Sequence, residues 1–158
     1  MVNTIKRRMR FMEKTNELNK FLSYVHMGNS IYRIYYDESQ RLKEEKLSKL
    51  IVEIMEIFKK HEEGIRSLIQ EFGEEPTSSL TAAGIMGVYK EKMKVFNDAF
   101  TICINAIKST NMGLVSALKF LEENKELATG LKDKIMEVID DYGVVIHKVK
   151  AYILEECV

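Results

Sequence analysis

Apolar positions recur every three or four residues along most of this chain, the spacing of one buried face of an α-helix. Leu18, Phe21, Leu22, Val25, Gly28, Tyr32, Tyr35, Ser39 and Leu42 make the first stripe. It predicts a helix starting near Thr15-Asn16 or earlier and ending between Arg41 and Glu45. A second stripe runs through Leu47, Leu50, Ile51, Ile54, Ile57, Phe58, His61, Ile65, Leu68 and Phe72, with Glu53, Glu56, Lys59, Lys60 and Glu63 on the opposite face. Gly73 followed by Pro76 is a stop signal, because glycine suits a left-handed cap and proline cannot continue the helix. Thr77, Ser78 or Ser79 is placed to cap the next helix. That helix is shorter, expected over roughly Leu80 to Val95, with Asn97-Asp98 as a second cap or a bend. The third long stripe is Ala99, Ile102, Cys103, Ala106, Thr110, Gly113, Ala117, Phe120 and Leu121, ending near Asn124. The last begins after Thr129-Gly130 with Leu131, Ile135, Val138, Tyr142, Val145, Ile146, Val149 and Ile153. No alternating strand pattern and no long repeat occurs.

Four stripes joined by short connections predict an all-α fold: an elongated up-down four-helix bundle with an additional short helix in the connection between the second and third long helices. Helices of about 27 to 35 residues would be about 40–50 Å long. Short loops make the first and second long helices neighbours, and likewise the third and fourth.

Composition narrows the class. At 158 residues, 46% apolar and 30% charged, the chain reads as a single globular domain over 1–158. The one proline favours long helices. The 24 basic and 24 acidic residues cancel, so there is no general attraction to nucleic acid or an anionic surface. Two cysteines, Cys103 and Cys157, are too few for a disulfide framework and fit a reducing, cytoplasmic setting. No apolar run approaches the roughly 20 residues of a membrane span. Residues 1–14 form a basic extension, with Lys6, Arg7, Arg8 and Arg10 beside Ile5, Phe11 and Met12. It is expected to be solvated or frayed.

The stretch from Leu18 through the end of the second stripe and on to the Asp98 helix resembles the ferritin-like bundles catalogued only as a domain of unknown function. The residues that carry the likeness are Leu-Ile-Gln-Glu-Phe-Gly-Glu-Glu-Pro at 68–76, Ala-Gly-Ile-Met-Gly-Val-Tyr-Lys at 83–90 and Ser-Thr-Asn-Met-Gly at 109–113. The resemblance implies a ferritin-like fold and no activity.

Bundles of that kind often hold two metal ions between inward-facing carboxylates, with Glu-x-x-His on two helices so that both side chains reach one ion. This chain has no Glu-x-x-His: three residues before His26, His61 and His147 stand Ser23, Phe58 and Val144. The stripes carry no carboxylate at their middles. Neither a metal nor any other cofactor is therefore expected. Gly-x-Ser-x-Gly, a phosphate-cradling glycine loop and Cys-x-x-Cys are also missing.

The remaining chemistry is sparse. His61 on an apolar stripe reads as a core histidine bonded to a tyrosine, or alternatively as a ligand paired with Cys103. Tyr32, Tyr35 and Tyr142 bring hydroxyls toward the interior, either to a polar pocket or out to the bundle edge. Gly28, Ser109, Thr110, Gly113 and Ser116 are small residues inside helices. They suggest close helix approach, with room for a ligand as the alternative, because a helical glycine costs about 1 kcal/mol against alanine. Met86, Tyr89 and Met93 on the short helix are the expected partner surface. The leading functional expectation is a non-catalytic bundle working through protein association, as a homo-oligomer (a dimer first) or with a protein partner. An atypical metal or redox site near His61 and Cys103, and a carrier of small apolar ligands, are the alternatives.

Overall fold

The structure is a computed structural model. It describes the backbone of residues 1–158 and the side chains of residues 1–9 and 16–158. Five α-helices succeed one another: α1 (Val2–Arg41), α2 (Glu45–Glu71), α3 (Ala82–Lys92), α4 (Ala99–Glu123) and α5 (Thr129–Tyr152). A π-helical segment, Ile153–Cys157, ends the chain, and no strand occurs among the described residues.

The stripes become the core. Leu18, Leu22, Val25, Tyr32 and Tyr35 of α1 are buried against Ile54, Phe58, Ile65 and Ile69 of α2. Ile102, Cys103, Ala106 and Ala117 of α4 and Ile135, Val138, Val145 and Val149 of α5 complete it. α1 packs on α2 and α4, and α5 packs on the same two, so the four long helices close a ring around one apolar interior. The short α3 lies against α1. No helix among the described residues is long and apolar enough to cross a membrane.

Local chemistry explains the boundaries, with some corrections. α2 ends at Gly73, whose φ is +75°. Its N–H donates to the Gln70 carbonyl, and the Glu74 N–H donates to that of Ile69. This is the Schellman pattern. The cap of α3 is Thr81, which accepts from the Gly84 N–H at 3.0 Å. Thr77 and Ser79 instead hold the preceding strap to α1. Residues 80–122 are two helices, parted by a break at 93–98, and Asp98 caps the second by accepting from the Thr101 N–H at 2.7 Å.

Helix lengths differ from expectation. α1 has 40 residues, whereas α4 and α5 have 25 and 24. The basic extension is helical and continuous with α1, and residues 2–9 are exposed. Arg10, Phe11 and Met12 lie outside the described side chains.

Candidate ligand cavity

Halfway along the ring, α1, α3 and α4 part and leave a cavity of about 250 Å³. Ile31, Tyr32, Phe58 and Tyr142 form its inner wall, Ala83 and Gly84 of α3 its cover, and Tyr24, Met27 and Met112 its outer rim. Gly28, Ser109, Thr110, Gly113 and Ser116 line it as well. The small residues noted in the sequence thus gather at one place.

Two of those glycines behave differently. A Cβ on Gly28 would meet nothing within 4 Å, so this residue leaves open space and does not serve close helix approach. A Cβ on Gly113 would sit 3.3 Å from Cζ of Tyr142, so there glycine does admit a close neighbour. On α3, a Cβ at Gly87 would collide with the terminal methyl of Met27, which runs beneath that helix.

The hydroxyls of the wall can be sorted by where their hydrogens go. Thr110 donates to the Ala106 carbonyl at 2.8 Å, and Ser116 to that of Met112 at 2.9 Å. Ser109 Oγ has the Asn105 carbonyl at 2.5 Å and Tyr35 Oη at 2.6 Å. Tyr32 is 1% exposed, and its hydroxyl has Thr110 Oγ1 at 2.6 Å and the Ala106 carbonyl at 3.3 Å. It does not reach the surface, and burial holds its phenol above the usual tyrosine range. Tyr142 stands apart. It is 7% exposed, and its hydroxyl, which has no hydrogen-bond partner among the described residues, opens on the cavity rather than being enclosed. Burial pushes its pKa up to about 12, so the phenol keeps its proton.

No protein-family model, no curated protein and no solved structure matches the chain.

Behind Tyr142 lies His61, fully buried, with ring centroids 6.0 Å apart and planes at 89°. Its partner is not a tyrosine. Nε2 is 2.7 Å from Oδ2 of Asp141, and Nδ1 is buried with no partner among the described residues. Burial lowers the His61 pKa and Asp141 raises it; burial prevails, so the ring is neutral, with its Nε2–H donating to Asp141.

Cys103 is elsewhere. Tyr142, which touches His61, packs at Gly113, ten residues farther along α4 and thus about 15 Å from Cys103. Cys103 does not line the cavity, although Tyr32 feels its charge; burial pushes its thiol up to about 12, and Cys157 and Glu44 add to that. The structure therefore joins Tyr32 and Tyr142 at one cavity, sets His61 behind them and leaves Cys103 outside. No cluster of three or more His, Cys, Asp or Glu suited to a metal occurs among the described residues.

Two carboxylates escaped the stripe reading. Asp141 is one step off the buried face of α5, from where it reaches His61. Glu91 of α3 is 8% exposed; Tyr35 Oη donates to its Oε1 at 2.5 Å, and Lys94 Nζ lies 2.6 Å from its Oε2. This latch fixes the C-terminal end of α3. Its other end is held by the strap. Asn19 accepts from the Thr77 N–H at 2.8 Å, Ser23 donates to the Ser79 carbonyl at 3.1 Å, and His26 bridges the Thr77 carbonyl and Glu62 at 2.8 and 3.1 Å. On the outside of α3, Ile85, Met86, Tyr89 and Met93 are 56–66% exposed.

Proposed function

We propose that this chain is a single-domain, ferritin-like, up-down four-helix bundle whose interior holds a small, uncharged, largely apolar molecule, and that it acts as a carrier rather than an enzyme. The observation that carries this reading is the cavity beside Tyr142. Its wall is built from aromatic, aliphatic and small side chains, and no charged residue lines it among those described. A cavity of about 150 Å³ is enough for benzene. The 250 Å³ here suits one ring with a short substituent. The cavity is partly open to solvent, and its lining forfeits dispersion contacts that a filling side chain would make. Gly28, which forms part of the void, would gain helix stability as alanine with no steric penalty, so its place there fits a retained space.

The test is ligand-dependent unfolding. Ethylbenzene and acetophenone are expected to raise the melting temperature, by the equivalent of about 2.7 kcal/mol at a hundredfold excess over Kd. Gly28→Leu, which puts a side chain into the open space, should stay folded and lose the effect. Failure of both compounds to stabilise the wild-type chain would remove the proposal.

The exposed stripe of α3 favours a second reading, association with another copy or a protein partner. Met86, Tyr89 and Met93, singled out in the sequence, lie together with Ile85 on that outer face. Adjacent exposed apolar side chains of this size are typical of docking surfaces.

A further inference from the structure

The hydrogen count in the cavity wall says more about the molecule it takes. Ser109, Thr110, Ser116 and Tyr32 have their hydrogens engaged by backbone carbonyls or by one another. They can offer lone pairs but no proton. Tyr142 alone among the inner hydroxyls described is a donor without an acceptor, and it is more than nine-tenths buried. Its direction is set from both sides. Ahead, Gly113 has no Cβ, and a Cβ there would sit 3.5 Å from the Tyr142 oxygen, so the hydroxyl fits against a residue of the cavity wall. Behind, Phe58 meets the ring edge to face at 5.7 Å and His61 at 6.0 Å, and His61 is itself held by Asp141. Among the described residues the one fully enclosed side-chain nitrogen or oxygen without a partner is His61 Nδ1, so the Tyr142 oxygen opens on the cavity, where a ligand acceptor would add one hydrogen bond with a net worth of about 0.5–1.5 kcal/mol.

We propose that the Tyr142 hydroxyl is the recognition group of this cavity, and that its ligand is a neutral, ring-sized molecule carrying a hydrogen-bond acceptor, such as an aryl ketone, aldehyde or ether. The proposal rests on the reading that the cavity binds a ligand. Shape selects the ring, since Tyr32, Phe58 and Tyr142 present aromatic walls to it. Charge selects neutrality. A carboxylate would leave water for a wall with no cation, a desolvation that the phenol alone does not offset.

Calorimetric titration with three probes of one size tests it: acetophenone, ethylbenzene and benzoate. The wild-type chain is expected to bind acetophenone about 3- to 10-fold more tightly than ethylbenzene, the worth of one net hydrogen bond, and to bind benzoate most weakly. Tyr142→Phe should erase the preference by weakening acetophenone alone. Ethylbenzene keeps its affinity in this variant, which also shows that the fold is intact. Equal affinity of wild type for acetophenone and ethylbenzene, a preference that survives Tyr142→Phe, or benzoate binding as well as acetophenone would each overturn the assignment of Tyr142 while leaving the cavity as a ligand site. Failure of both neutral probes would sink the cavity reading, and this one with it. If Tyr142→Phe does not fold, equal affinity of the wild-type chain for acetophenone and ethylbenzene, or benzoate binding as well as acetophenone, still overturns the assignment.

Discussion

His61 has one nitrogen on a carboxylate and the other on nothing among the described residues, in full burial. Its folded pKa lies below the ordinary 6.5 because burial outweighs the attraction of Asp141. As pH falls through about 6.5, the unfolded chain takes a proton that the folded chain declines, so acid favours unfolding. The contribution of neutral His61 is complete above that pH and is lost as pH drops toward the folded value. Denaturation between pH 7.5 and 5 should therefore show falling stability, and His61→Phe should flatten the profile. His61→Ala should destabilise by about 2–4 kcal/mol, through the cavity it leaves. A pH profile unchanged by His61→Phe would show that other groups set it. The stripe of α2 placed His61 inside with no difficulty. The stripe of α5 could not announce its partner, because Asp141 is off that stripe and reaches inward by side-chain length alone. The unpartnered hydroxyl of Tyr142 was equally illegible, since spacing along a helix fixes a direction but says nothing of the groups opposite.

α1 and α2 both stop with the same two backbone bonds, although only α2 has glycine at the turn. In α1 the left-handed residue is Lys43, with φ of 58°. Its N–H donates to Gln40 and that of Glu44 to Ser39, at 3.0 and 2.9 Å. A side chain in this region costs about 1 kcal/mol or more that glycine avoids. Lys43 is exposed, so Lys43→Gly removes no packing. It should raise unfolding stability by about 0.5–1 kcal/mol, read by thermal denaturation. Gly73 made the end of α2 visible in the sequence, whereas the turn at Lys43 could only be bracketed. The α3 cap shows the same limit. The strap offers Thr77, Ser78, Ser79 and Thr81, all able to cap. Only tertiary bonds to Asn19 and Ser23 on α1 decide that two of them serve the strap, leaving the cap to Thr81.

At the scale of the molecule, the four long helices and the extra short one were legible because the apolar period covers nearly the whole chain. The cavity was legible only in part. The five small residues along α1 and α4 carried its signal, but small residues also mark close packing, and only the opposing side chains tell the two apart. Gly113 meets Tyr142; Gly28 meets nothing. The outer face of α3 carries the association reading, and its prediction is simple. Light scattering should give a dimer or larger species, and the pair Met86→Lys with Tyr89→Lys should return it to monomer. A wild-type monomer with no partner in a pull-down would count against that surface.

The fastening of α3 has a consequence for kinetics. With the Glu91 latch at one end and the strap bonded to Asn19, Ser23 and His26 at the other, this helix cannot swing away without breaking several hydrogen bonds together. The rim residues Tyr24 and Met112 are 46% and 64% exposed and can turn alone. The cavity is partly open at this rim, so passage to solvent would need at most rotamer changes, which take picoseconds to nanoseconds, and not the microsecond-to-millisecond motion of a hinged lid. On the carrier reading a ligand would meet no gate on entry, and its rate of leaving would be set by its affinity alone.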